Sequence, residues 1–443
     1  MLATGLLVPA ISAADSLDID DPAERLKRYE LENGLTVLLL EDHVTPVASF
    51  QVWVQTGSRD EARYSGIAHL FEHMMFKGSK HMEEEEHARL VGARGGRINA
   101  FTSRDVTVYF EDVTSESLPL VIDLEAERFT NLKVHQGMLD REREVVLEER
   151  SMRTEDDPRG RAFEALAATA WVAHPYRRPV IGWRSDVEAV TVEACQEFFD
   201  AYYSANNLVI SVAGDFDTEE TLERIRLRFG GLRSSAIARN PTLEPEQDGE
   251  RRTVVHFDVR SPLLMAGWHA PPSGHADSTA LDVASQILSD GRSSRLYQKL
   301  VDQEAKALHA YGAYWELKDA GLFYASVGVR PGADIDEVEA LFMAEIARVA
   351  SDGVGEDEVA KAKRQLEVGL IRRLGTAHSL ASRIGRDTVT FGRVRTLEEQ
   401  LGAITAVTAE DVQRVVKTYL VKEKRSVIHV VSPPVSDAEG DAR

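Results

Sequence analysis

Ser65-Gly-Ile-Ala-His69-Leu-Phe-Glu72-His73-Met-Met-Phe-Lys-Gly-Ser79 is the stretch on which the reading of the chain turns. On a helix, His69 and His73 stand one turn apart on the same face. Glu72 lies beside them. Two imidazoles at that spacing can share one tetrahedral zinc at roughly 2.0–2.1 Å. A carboxylate at Glu72 can reach a water on such a metal without being a ligand itself. Leu70, Phe71, Met74, Met75 and Phe76 make the segment apolar around most of its circumference, which predicts a buried helix. Two histidines and a glutamate on a buried helix need partners, and a metal supplies one. The competing reading is a surface helix with two satisfied histidines, and the apolar flanks weigh against it.

A catalytic zinc needs a third protein ligand and an open fourth position. The candidate lies far downstream, in Arg141-Glu142-Arg-Glu-Val-Val-Leu-Glu-Glu149-Arg150. This segment reads as a helix with Val145, Val146 and Met152 among charges. Glu142 and Glu149 share a face of it, while Glu144 and Glu148 point elsewhere. Periodicity alone does not choose between Glu142 and Glu149 as the ligand.

His69-Leu-Phe-Glu72-His73 is the inverted form of the zinc-peptidase helix, His-x-x-Glu-His. With the Glu142–Glu149 pair downstream, the chain resembles the zinc peptidases that include pitrilysin, the insulin-degrading enzymes and the mitochondrial processing peptidases. Further family-like stretches follow in the same order: Gly95-Gly-Arg-Ile-Asn99-Ala-Phe-Thr102, His174-Pro-Tyr176 with Gly182, Tyr203 with Asn206 and Asn207 before Gly214-Asp215, and Gly291-Arg-Ser-Ser-Arg-Leu296. The resemblance spans nearly the whole chain. It implies one zinc ion per chain, held by His69, His73 and the distal Glu149. It makes Glu72 the general base and Glu142 an outer-sphere carboxylate. Asn99 and Ala100 become contacts for a peptide bound as an extra strand along Ile98–Thr102. The reaction implied is hydrolysis of peptide bonds by a metalloendopeptidase.

One departure stands out. Active relatives carry an Arg and, seven residues later, a Tyr after the Ser-Ser-Arg-Leu stretch. Here Val301 occupies the Arg position, and Leu308, or His309 with one insertion, the Tyr position. The resemblance therefore implies a homologous sister subunit that supplies the pair in a heterodimer, with a homodimer as the fallback. A non-catalytic assembly subunit of the same fold is the alternative reading. Intact His69, Glu72, His73 and Glu149 argue against it.

The chain has 443 residues, enough for two domains with sizeable cores. Its net charge of −21, with no basic stretch to offset it, argues against nucleic-acid binding. A single cysteine, Cys195, excludes an internal disulfide and reads as a small core residue on a helix. Met1–Ala14 is an apolar run ending in small residues, like the end of a secretory signal without its basic start. That places the chain in the periplasm or outside the cell, with the cytoplasm as alternative. No later run reaches membrane-spanning length.

Taken in order, the domains divide as a leader-like segment at 1–24, a zinc-bearing domain at 25–233, a linker at 234–250 and a second domain at 251–443. The linker is polar, holds two prolines and lacks periodicity. Leu31-Glu-Asn-Gly34 is a turn between strands. Gly92–Arg97 is a glycine-rich bend into a strand, without the Lys-Ser/Thr of a phosphate loop. His81 and His87 have no partner at ligand spacing and read as surface residues. Val190-Thr-Val-Glu-Ala-Cys195 through Tyr202 aligns without gaps on Val407 through Tyr419, and a strand follows each. The halves thus read as a duplication in which only the first kept a metal site. The predicted fold is α+β: two homologous domains, each a mostly antiparallel sheet packed with helices.

Overall fold

The structure, a computed structural model, describes residues 21–239 and 242–434. The leader-like segment lies outside the described residues except at its end, where Pro22–Arg25 forms one helical turn capped by Asp21.

The turn at Leu31–Gly34 joins β1 (Lys27–Glu30) to β2 (Thr36–Glu41). Gly34 has a φ of +81°, and a Cβ there would meet Asn206 Cβ at 3.0 Å, so both the turn and the close approach require glycine. With β3 (Val47–Val54), β4 (Arg97–Thr102), β5 (Thr107–Thr114) and β6 (Leu208–Gly214) these strands form one sheet, ordered β1-β2-β6-β3-β5-β4. Every neighbouring pair is antiparallel except β2–β6. β2 is covered on both faces: Val37 and Leu39 face one core, Leu38 and Leu40 another. That is why it reads as an unbroken apolar run. β4 pairs only with β5, so one backbone edge is unpaired within the sheet.

The second sheet contains β7 (Arg251–His256), β8 (Leu263–Ala270), β9 (Ala307–Trp315), β10 (Gly321–Val329) and β11 (Arg425–Val431), ordered β7-β11-β8-β10-β9. Its one parallel pair is β7–β11. Without β1, the first sheet has the same order and the same single parallel pair. The two aligned segments become helices Val192–Tyr202 and Ala409–Tyr419, capped by Thr191 and Thr408, and they lead into β6 and β11. The chain is therefore a two-domain α+β protein built on a duplicated unit.

Each half lends a helix to the other. Helix Pro158–Ala170 packs Leu166 and Ala170 against Met265, Ile428 and Val430 of the second sheet. Helix Ala377–Phe391 packs Leu380, Ala381 and Ile384 against Leu38, Trp53 and Val209 of the first. Both crossings use glycine. A Cβ on Gly267 would lie 3.0 Å from Leu166, and one on Gly385 only 2.3 Å from Trp53 Nε1. A polar knot joins the halves beside this apolar exchange. Arg59 pairs with Asp105 at 3.2 Å and with Asp319 at 2.8 Å, and the Tyr176 hydroxyl donates to Asp105 at 2.6 Å.

One expectation fails here. His87 is not a surface residue: it is 5 % exposed on helix Glu86–Gly92. Its Nε2 lies 3.4 Å from Glu111 and 3.8 Å from Glu125, two carboxyls that also hold the buried Arg128. Burial first, then the charge of Arg128, lowers the imidazole to about 3, so it is neutral. His81 is exposed as read. Among the described residues, no helix is long and apolar enough to cross a membrane.

Candidate metal centre

The helix carrying the His-x-x-Glu-His pattern runs Ile67–Met74. Its start is fixed by a buried carboxylate: Glu61 accepts from Gly66 N and Ala68 N, each at 3.0 Å. Gly66 has a φ of +88°, and a Cβ there would lie 2.5 Å from the carbonyl of Ile181. Ser65 Oγ donates to Asp186 at 2.6 Å and accepts from Trp183 N at 2.9 Å. The inner face is locked by Phe71, whose ring lies 5.6 Å from Phe199 and 4.8 Å from Tyr203. With that face buried, His69, Glu72 and His73 turn toward a cavity of about 900 Å³.

The second segment forms helix Gln136–Arg150, continued by a wider π-helical turn at Ser151–Glu155. Buried Met138, Leu139 and Val146 anchor it. Arg150, 4 % exposed, donates to the Gly182 carbonyl at 2.6 Å and pairs with Glu164 at 2.8 Å. These contacts aim the face bearing Glu142 and Glu149 at the two histidines.

Glu149 Oε2 lies 3.6 Å from His69 Nε2 and 3.4 Å from His73 Nε2. A tetrahedral ion with bonds of roughly 2.0–2.2 Å sets its donor atoms about 3.3–3.6 Å apart. Glu149 Oε2 is buried without a hydrogen-bond partner. A buried carboxylate oxygen that faces two imidazole nitrogens and finds no donor fits a cation between them. The donor set of two imidazoles and one carboxylate is that of a zinc site with an open fourth position. Glu142 approaches from the other side, with Oε2 3.6 Å from His73 Nδ1 and Oε1 3.3 Å from Lys77 Nζ. The structure thus separates the two glutamates that periodicity left equivalent.

The electrostatics follow from this packing. Burial, then the neighbouring His73, lowers His69 to about 4, so it is a neutral donor near pH 7. Burial also opposes a charge on His73, but Glu142 and Glu149 outweigh it and raise the group to about 9. Burial raises the Glu72 carboxyl, and a hydrogen bond from Thr102 partly offsets it.

Asn99 and Ala100 line the same cavity from β4. Three partners escaped the sequence reading. Thr102 Oγ1 donates to Glu72 Oε2 at 2.6 Å. Arg153 Nη1 holds Glu149 Oε1 at 2.8 Å. Lys77 supports Glu142. Thr102 closes a stretch that was read as family-like, and Arg153 stands at the i,i+4 spacing of a helical ion pair with Glu149, whereas Lys77 carried no pattern. Glu144 and Glu148 do not point away from the site. They line the cavity with Val145 and Met152. Val301 sits half-buried against the second core, Leu308 is 47 % exposed on β9, and His309 follows it. No Arg–Tyr pair stands at those positions. Cys195 is fully buried, and burial pushes its thiol up to about 12, as befits a core residue.

Two other clusters of ligand-type residues exist among the described residues. Each already holds arginine: Arg128 with Glu111 and Glu125, and Arg252 and Arg425 with Glu339. They are buried ion-pair networks.

Two sheet-and-helix domains of duplicated order, with a His-x-x-Glu-His helix facing a distal glutamate in the first, define a two-domain metallopeptidase-type chain. The chain belongs to peptidase family M16. Residues 36–183 match the family model described as insulinase (peptidase family M16), and residues 189–366 match the peptidase M16 inactive domain. It is 33 % identical over 410 residues to an uncharacterised zinc protease of Mycobacterium bovis, covering 90 % of this chain and 92 % of that one. It is 30 % identical over 409 residues to the zinc protease PqqE of Helicobacter pylori, covering 91 % and 92 %. The crystal structure of a protease from Helicobacter pylori superposes with a TM-score of 0.89 at 29 % identity, covering 92 % of this chain and 99 % of that one.

Proposed function

We propose that the chain is a zinc-dependent endopeptidase acting on peptides held in extended form, with one zinc held by His69, His73 and Glu149. The convergence of the partnerless Glu149 Oε2 on both imidazoles carries this reading. When bound, zinc would polarise the scissile carbonyl and lower the pKa of its water toward about 7. Glu72 takes the proton of the attacking water and returns it to the leaving amine, a contribution of about 10²- to 10⁴-fold. Burial, which raises its carboxyl, makes it a stronger base than an exposed glutamate. Thr102 fixes its orientation. Glu142 orients His73 through Nδ1, and Arg153 orients Glu149 through Oε1.

Substrate adds a strand to the unpaired edge of β4, where backbone hydrogen bonds give affinity with little sequence preference. Asn99 and Ala100 supply contacts there. Because Val301, Leu308 and His309 replace an Arg–Tyr pair, a sister chain of the same fold provides it across a shared chamber. The apolar start of the sequence supports a periplasmic or secreted location.

The test is protein purified without chelator, assayed for metal stoichiometry and for peptide cleavage, alone and with its native partner. One zinc per chain and cleavage that Glu72→Gln abolishes without loss of metal are expected. Absence of metal, or cleavage by Glu72→Gln at the parent's rate, would refute the reading.

A further inference from the structure

The second half has a cleft of its own, of about 610 Å³, walled by helices Ser278–Ser289, Ala377–Phe391 and Leu397–Ala406. That volume falls within the roughly 300–1,000 Å³ of small-molecule sites. Four guanidinium groups line it in a chain whose net charge is −21: Arg373, Arg383, Arg386 and Arg395.

Arg395 is neutralised by Asp387, whose Oδ1 lies 3.2 Å away. Arg383 has only a looser ion pair, to Asp21. The side chains of Arg373 and Arg386 make no hydrogen bond or ion pair among the described residues. Arg383 is only 6 % exposed; its Nη2 donates to the Arg395 carbonyl at 2.8 Å, but Nε and Nη1 are buried without a hydrogen-bond partner. The nearest carboxylate to it is Asp21, at 3.7 Å. Burial lowers both Arg383 and Arg386; at Arg383 the charges of Asp21 and Asp387 oppose it and those of Arg395 and Arg373 add to it, and at Arg386 Arg373 adds to it while Asp387 opposes it. Like charges held together in a partly dry cleft cost free energy unless an anion lies between them.

The acidic residues of the cleft do not close this gap. Glu316 accepts from Gly274 N at 3.2 Å, and Glu399 accepts from Arg393 at 2.8 Å. Asp282 alone has no hydrogen bond on its carboxyl. Burial, then Glu316, pushes it up to about 7. The charges of Arg373 and Arg395 oppose that rise.

We propose that this cleft binds a small dianion, a dicarboxylate or a phosphate monoester, on Arg373, Arg383 and Arg386. Planar guanidinium forks match the two oxygens of either group. The site is independent of the metal centre. It lies along helix Ala377–Phe391, whose His378 also touches Asp112 of the first sheet at 3.1 Å.

The full chain is titrated with inorganic phosphate and with succinate, by calorimetry and thermal unfolding, against sodium chloride at matched ionic strength. At least one probe gives saturable binding and stabilisation, and whichever does so names the source of the dianion. Arg373→Gln with Arg386→Gln weakens that binding by about tenfold or more, since charge-assisted hydrogen bonds are lost, while metal content and peptide cleavage stay at the parent's level. Thermal unfolding without added anion checks that the variant folds; Arg386→Gln alone is the second reading. Saturation by neither probe beyond chloride, or unchanged affinity in both variants, overturns the proposal.

Discussion

Thr102 Oγ1 and Glu72 Oε2 lie 2.6 Å apart, the hydroxyl donating. This one bond ties the edge strand, where a peptide would lie, to the helix that bears the proposed general base. Replacing Thr102 by Val removes the donor and keeps the shape. Turnover is expected to fall by about tenfold, the worth of one hydrogen bond to a charged group, with zinc content unchanged. Thr102→Ser restores most of it. Steady-state rates beside metal analysis decide the matter; a Val variant as fast as the parent would show that Glu72 needs no tether.

Glu142 and Glu149 occupy the same face of one helix but stand on different sides of His73. Glu149→Gln is therefore expected to strip zinc from the protein, because it removes an oxygen of the proposed ligand set. Glu142→Gln retains zinc with about 10- to 100-fold weaker affinity, as for other groups that orient a ligand. Competition against a chelator of known affinity separates the two. Equal losses in both variants would mean that the two carboxylates share the ion.

These two relationships show where the sequence was sufficient and where it was not. The paired histidines, the glutamate between them and the downstream Glu–Glu pair follow helical periodicity, so they are legible in one dimension. The duplication was legible too, because the helices ending at Tyr202 and Tyr419 keep their spacing and each feeds a strand. Thr102 and Lys77 act through contacts between separate elements, which leave no periodic trace; Arg153, four residues after Glu149, carried the i,i+4 spacing of a helical ion pair and was passed over. His87 was misread for the same reason: Glu111 and Glu125, which bury it, come from a strand and a helix far along the chain. The exchanged helices also gave no warning, since the apolar face of Ala377–Phe391 looks the same whichever sheet it covers.

That exchange makes its own prediction. A Cβ on Gly385 would come within 2.3 Å of the Trp53 ring, which is held by hydrogen bonds from Nε1 to Gln51 at 3.2 Å and to Ser211 at 3.1 Å. Trp53 cannot retreat without breaking them. Gly385→Ala is expected to destabilise the chain by about 1–3 kcal/mol, the usual cost of overpacking a filled core. Denaturant unfolding of the purified variant measures it. A change under about 0.5 kcal/mol would show that the helix slides freely on the first sheet.

Glu339 supplies a pH-dependent test of the second domain. Burial alone would raise its carboxyl. Hydrogen bonds from Arg252 and His429 and the charge of Arg425 outweigh burial and hold it well below the usual carboxylate range. A carboxylate whose folded pKa is depressed adds stability above its unfolded pKa, and that stability is lost as pH falls through the folded value. Glu339→Gln leaves Arg425, 3 % exposed, with only Glu250 as partner. Removing one member of such a buried network costs about 3 kcal/mol. Stability curves for parent and variant should therefore lie furthest apart near neutral pH and converge on acidification below the ordinary carboxylate range. A gap that stayed constant with pH would assign the loss to packing and not to the charge on Glu339.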